Sequence, residues 1–422
     1  MPLGVTSATM PARHRVAIVC SHPIQYLAPW FVALAAEPSL ELTVLYGSLS
    51  GQVDAAQDRD FGRSVRWDVD LLSGYRYIEL TSHSLWPGLD RFLGMASLDV
   101  FRLLRRERFD AVVILGWNYA LYPLALLAAR AAGLPVILRG DTVRYADSDE
   151  QESDVEGLSR GRLVAKTWLL RRYLGWCAAA LAVSSGNRRL LRHYGVPDDR
   201  IFCAPYAVDS NRYCLTKFSI SDLRRKIRRQ LGVPDDTPLL LFCGKFSPVK
   251  APSLLLGAYA RLRATGTKAA LVLCGDGALR GALEAQVERE RIADAHFLGF
   301  RNQSELPGLY AAADVLVVPS EREAFAMVVP EAMHAGLPVI ASDRVGCVED
   351  LVSENRTGLI FPSGEESALV RCLQTLCSEP GGAETRKRLG AAAKQRMQTW
   401  TYRETTRGLI ASLDAVCPQK DR

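Results

Sequence analysis

The chain has 422 residues, of which 48% are apolar and 23% charged, and its formal net charge is +6. This is an ordinary globular composition, long enough for two or three domains, and it excludes a disordered or low-complexity chain. No apolar run reaches the roughly 18 residues that cross a bilayer; the nearest, 120–138, carries Pro123, Arg130 and Pro135.

Residues 1–13 lack the apolar core of a signal sequence and read as a loose tail, so a cytoplasmic protein is expected. The ten cysteines are scattered without a Cys-x-x-Cys pair, and the six histidines are dispersed, so no metal site is expected. Cys20, Cys243 and Cys274 end apolar runs and read as small buried thiols.

Strand-like runs at 15–20, 40–46, 75–80, 111–115, 135–139 and 180–184 alternate with helical segments. One of these helices, 121–132, is closed by Gly133 and Pro135. The alternation predicts a doubly wound α/β domain, a parallel sheet covered on both faces. Asp68-Val69-Asp70 matches the short Asp-x-Asp of metal-dependent transferases, a pattern that chance often produces.

Residues 157–197 contain no acid. They carry Arg160, Arg162, Lys166, Arg171, Arg172, Arg188, Arg189 and Arg192 among Trp168, Leu169, Leu170, Tyr173 and Trp176. The stretch is either a solvated face or a surface for anionic lipid headgroups, at the inner face of a membrane, or for an anionic acceptor. No nucleic-acid motif accompanies it.

The pattern restarts after a polar segment, 205–212, and a basic helix, 221–231. Strand-like runs follow at 239–243, 270–274, 295–298, 315–319, 338–342 and 358–361. We read a first domain over 1–210 and a second, similar one over 211–399. A helical tail, 384–416, is interrupted near Trp400-Thr401, and its last part, 400–422, is expected to return to the first domain.

Open α/β sheets bind ligands beyond the carboxyl ends of their strands. In the second domain three such ends carry candidate chemistry. Gly244, Lys245 and Lys250 offer a tight turn and positive charge to a diphosphate. Gly275-Asp276-Gly277 opens a segment read as a helix start that admits phosphate. Glu323 is expected in a loop, followed by Ala324, Phe325, Ala326 and Met327 entering a helix, with Glu331 two turns on, where a carboxylate can accept both hydroxyls of a ribose. In the first domain His22, a catalytic candidate with Glu323, Lys245 and Lys250, follows the first strand toward the interdomain cleft; Asn118, Arg139 and Asp141 stand at strand ends on that side, the acceptor side, and His83 is a weaker candidate.

Residues 240–361 resemble the retaining nucleotide-sugar glycosyltransferases of glycosyltransferase family four, which have the GT-B fold of two Rossmann-like domains facing across a cleft. The resemblance rests on Gly244, Lys245 and Lys250, on the CGDG turn 274–277, on HFLGF at 296–300 and YAAADVLVVPS at 310–320, on the pair Glu323 and Glu331, and on AGLPVIASDRVG at 335–346. It implies that Lys245 and Lys250 bind the donor diphosphate, that Glu331 holds the ribose, and that Glu323 with the backbone of Ala324, Phe325, Ala326 and Met327 touches the donor sugar. Gly275 and Arg301 would lie near the nucleoside.

The resemblance further implies retention of anomeric configuration and no bound metal or other cofactor. The sequence departs from the family at Lys245, often arginine, and at Ala324 and Ala326, usually glycines. Ser21-His22-Pro23 replaces a glycine-rich loop, and Gly116-Trp117-Asn118 replaces a usual histidine. Two other readings of the sequence are a sugar-nucleotide epimerase on the same architecture and a non-catalytic membrane-surface scaffold.

Overall fold

The computed structural model describes residues 13–53, 56–58, 63–145, 160–213 and 217–417. The amino-terminal tail and residues 157–159 of the acid-free stretch lie outside them.

The first half contributes β1 (His14–Cys20), β2 (Leu40–Tyr46), β3 (Ala56–Asp58), β4 (Arg63–Val65), β5 (Arg76–Glu79), β6 (Ala111–Ile114), β7 (Val136–Gly140), β8 (Ala179–Ala182) and β9 (Ile201–Cys203). The pair β3 and β4 is a small antiparallel hairpin. The rest form one parallel sheet in the order β5-β2-β1-β6-β7-β8-β9. Its central strands are largely apolar because both faces are covered: in β1, Val16 and Ile18 enter one core and Ala17 and Val19 the other. Neither the hairpin nor β9 was expected; each strand has three residues, too short a run to show a period.

The second half contributes β10 (Leu239–Cys243), β11 (Ala270–Cys274), β12 (Ala295–Gly299), β13 (Val315–Val318), β14 (Val339–Ser342) and β15 (Gly358–Phe361). They pair in parallel in the order β12-β11-β10-β13-β14-β15. Two Rossmann-like sheets therefore make up the molecule. In each, the winding reverses beside the first strand, between β1 and β6 and between β10 and β13. Connections leaving such a pair diverge to opposite faces and open a crevice at the carboxyl edge.

The basic helix begins at Lys217, ahead of the expected 221. Its basic cluster divides: Arg225, Lys226 and Arg229 are exposed, and the other two turn inward. Arg224 and Arg228 clamp the Asp314 carboxylate at 2.8 and 3.1 Å and also donate to the Ala312 carbonyl. The tail forms helices Gly382–Arg396 and Tyr402–Val416, the second opened by a Thr401–Glu404 capping box. That second helix lies against β9: the Trp400 indole donates to the Tyr206 carbonyl at 2.7 Å and the Thr405 hydroxyl to that of Pro205 at 2.6 Å. A Cβ at Gly408 would stand 1.9 Å from the Cys203 carbonyl oxygen, so only glycine permits this approach.

Candidate active site

At the second sheet's reversal point, β10 runs into Gly244 and Lys245, and a short 3-10 turn, Pro248–Lys250, brings Lys250 across to the segment after β13. The Lys250 ammonium donates to the Glu323 carboxylate. The backbone of Glu323 is fixed from both domains: its N–H donates to the Arg344 carbonyl at 3.0 Å and to the Tyr145 hydroxyl at 3.0 Å, and that hydroxyl donates to the Glu323 carbonyl at 3.2 Å.

The chain then passes through Ala326 at φ +71°, a left-handed conformation costly for any residue with a Cβ. This turn delays the helix, which spans Val328–Ala335 rather than starting at 324. Glu331 accordingly sits in the first helical turn, not two turns on. It is buried, and its carboxylate accepts from the Tyr310 hydroxyl at 2.6 Å. Burial raises its pKa, and the hydroxyls of Tyr310 and Tyr213 and the charge of Arg212 oppose the rise.

Gly275 has a different reason from the one expected. The helix after it begins only at Arg280, so residues 275–277 are not a helix terminus. Gly275 instead adopts φ +148°, and a Cβ there would stand 1.8 Å from the Gly244 carbonyl oxygen. The two strand ends touch through backbone alone.

One cavity of about 410 Å³ gathers Gly244, Lys245, Lys250, Gly275, Arg301, Glu323, Ala326, Met327 and Glu331. Two expected donor contacts fall outside its lining. The Ala324 carbonyl faces Gly346, where a Cβ would stand 1.9 Å away, and Phe325 is buried edge-to-face against Tyr206 at 5.3 Å. The cavity also takes Gln25, Tyr26 and Trp67 from the first domain, which the sequence did not single out.

At the first sheet's reversal point a second cavity, about 400 Å³, gathers His22, Asn118, Arg139 and Asp141 with Trp117, Tyr119, Tyr122 and Tyr206. Tyr26 lines both cavities, so they adjoin. The His22 Nδ1 lies 3.0 Å from the Ser21 hydroxyl, and burial lowers its pKa to about 4, leaving the ring neutral at pH 7. Arg139 is 2% exposed, with its guanidinium between the rings of Trp30 at 4.2 Å and Tyr206 at 4.7 Å. Its Nε and Nη1 have no partner among the described residues.

Other candidates lie elsewhere. His83 is exposed in a local turn, its Nδ1 2.9 Å from the Thr81 carbonyl. Asp70 accepts from the backbone of Leu72 and Ser73, and Asp68 accepts from the backbone and hydroxyl of Ser304 in the second domain. Among the described residues no three His, Cys, Asp or Glu side chains cluster as a metal site would require.

The acid-free stretch divides. Arg188 and Arg192 bond Asp198, while Arg189 and Ser185 reach across to Glu349 and Asp350. Helix Arg160–Gly175 leaves Val164, Trp168 and Leu169 about two-thirds exposed, at 66%, 64% and 59%. No described helix is long and apolar enough to cross a membrane.

Two crevices meet at a domain interface, one of them lined by lysines and carboxylates, on two doubly wound α/β domains. Residues 224–396 match the family model for glycosyl transferases group 1, and residues 41–212 match that for glycosyltransferase family 4. The D-inositol 3-phosphate glycosyltransferase of Pseudarthrobacter chlorophenolicus is 30% identical over 327 residues, 75% of this chain and 74% of the relative. The chain belongs to glycosyltransferase family 4.

A GDP-mannose-dependent alpha-mannosyltransferase of Mycobacterium tuberculosis is 33% identical over 63% of this chain, a match spanning 64% of that protein. The match to the Corynebacterium glutamicum D-inositol 3-phosphate glycosyltransferase spans 60% of its length. The GT-B fold is shared with Anabaena HepE, solved with UDP and glucose (TM-score 0.69, 18% identity, 96% of this chain and 100% of that one), and with a Thermosynechococcus elongatus sucrose-phosphate synthase (TM-score 0.69, 20% identity, 94% and 98%).

Proposed function

We propose that the protein transfers a glycosyl group, with retention and without a metal cofactor, from a nucleoside-diphosphate sugar to an acceptor hydroxyl. The observation that carries this reading is the single cavity joining Lys245, Lys250, Glu323 and Glu331 beside a first-domain crevice. The diphosphate takes the lysine charges beside the helix start at Val328, the ribose takes Glu331, and the sugar lies toward Glu323 and Tyr26. The acceptor oxygen, in the crevice of His22, Asn118, Arg139 and Asp141, forms its bond to the anomeric carbon as the bond to the diphosphate breaks. The diphosphate leaves with the bonding pair, and its oxygen accepts the acceptor proton. Lysines and a helix start are suited to that developing charge.

The relatives and neighbours named above use or hold GDP-mannose, UDP and glucose, which makes these the first donors to test. Thermal shift against a nucleotide-sugar panel should show stabilisation by one donor. NMR of the product should then give the donor's own anomeric configuration, with activity retained in EDTA. Isomerisation of the donor without acceptor would replace this reading by an epimerase. The helix exposing Val164, Trp168 and Leu169 beside Arg171 and Arg172 supports a peripheral contact with an anionic membrane, and co-sedimentation with phosphatidylglycerol vesicles tests it.

A further inference from the structure

The nucleoside end of the donor cavity has an outer wall supplied by the first domain. Resting on the donor reading above, we propose that Trp67 stacks on the donor base, so that the first domain supplies one wall of the nucleotide site.

The charges order the cavity. Lys245 and Lys250 place the diphosphate at the β10/β13 crevice, and Tyr26, shared with the acceptor cavity, marks the sugar end. What remains lies toward β12, at the sheet's edge, where Phe300, Arg301 and Gln303 follow the strand. Trp67 closes that end from across the domain interface, its ring 6.5 Å from that of Phe300 and tilted by 48°. An aromatic face offers a base the stacking surface that phosphate and sugar do not use. The Arg301 Nε is buried there without a partner among the described residues, a donor available to a base edge.

Trp67 is held in place on either side. The Arg66 carbonyl accepts from the Asn302 amide at 2.8 Å, and Asp68 accepts from the Ser304 backbone at 3.2 Å and from its hydroxyl. These contacts cross from the first domain to the loop after β12, while the Trp67 backbone N–H donates to the Gly51 carbonyl at 3.0 Å within the first domain, so the first domain carries the indole and the cross-domain contacts set it over the cavity. The first aspartate of the Asp-x-Asp motif thereby acquires a use that needs no metal.

The test measures calorimetric affinity for UDP, GDP, ADP and inorganic pyrophosphate. Trp67→Leu should weaken the preferred nucleotide roughly tenfold or more, as loss of one stacking partner does, and leave pyrophosphate unchanged. Trp67→Phe should restore most of the affinity, and Ser304→Ala should weaken the nucleotide by a smaller factor. Unchanged nucleotide affinity in Trp67→Leu overturns the proposal, as does an equal loss for nucleotide and pyrophosphate, which would mark general damage. A wild-type protein that binds none of the three nucleotides removes the donor reading and this inference with it.

Discussion

The two crevices occupy equivalent places on two similarly wound sheets and have nearly equal volumes, about 410 and 400 Å³. Their chemistry differs. The second-sheet crevice opposes lysines to carboxylates. The first-sheet crevice sets a buried guanidinium with open N–H positions and a neutral histidine among aromatic rings. The topology makes a crevice, and the side chains at the strand ends decide what it holds. A crevice with paired lysines suits a diphosphate leaving group; one that sets Ser21, His22, Asn118, Arg139, Asp141 and Thr142 among aromatic rings suits a ligand recognised by shape and hydroxyl bonding.

The largest effect is expected at Lys250. Lys250→Ala removes a charge from the leaving group and leaves the Glu323 carboxylate without its ammonium, so kcat/KM should fall about 10²–10³-fold. Affinity for an unphosphorylated nucleoside should not move, and a nucleoside loss of similar size would dissolve the division of labour. Glu331→Ala should weaken donor binding by about 1.5–3 kcal/mol, on the order of 10- to 100-fold, in calorimetry.

The pH response should separate the crevices further. The raised pKa of Glu331 means that its ionised form disfavours folding: the stability it contributes is complete below the ordinary value of 4.5 and is lost as pH rises through the raised one. Glu331→Gln should therefore melt higher at neutral pH while binding donor less well. Donor affinity in the wild type should fall on acidification through that raised pKa, because a protonated carboxyl accepts fewer hydroxyls. His22, lowered to about 4, should contribute no break near its ordinary 6.5; a break there that vanishes in His22→Asn would contradict its burial. The smallest effect is expected at Ala326. Ala326→Gly should relieve the left-handed strain and raise stability by about 1 kcal/mol in denaturant unfolding.

The second-sheet crevice was the more legible because its residues sit in runs whose order mirrors the sheet: the strands from 239 to 318 are apolar but for His296, and residues just past their ends line the cavity. The helix start before Glu331 was misplaced because Ala326 adopts a conformation that its identity does not announce. Gly275 was noticed, but its reason, contact with Gly244 from a neighbouring strand, depends on pairing. In the first domain His22, Asn118, Arg139 and Asp141 do share one crevice. Their aromatic company, Tyr26, Trp117 and Tyr206, comes from separate segments and leaves no local pattern. Trp67 and Tyr145 were missed for the same reason: both act on the opposite domain, and no spacing within one segment encodes a contact across an interface.

On the proposed function, Lys250 and Glu331 grip different parts of one nucleotide. Calorimetry of the preferred nucleoside diphosphate against wild type, each single alanine variant and the double variant measures it. Losses in the double variant that equal the sum of the two single losses, with the nucleoside sensitive only to Glu331→Ala, are the predicted result. Unchanged affinity in the double variant would contradict it.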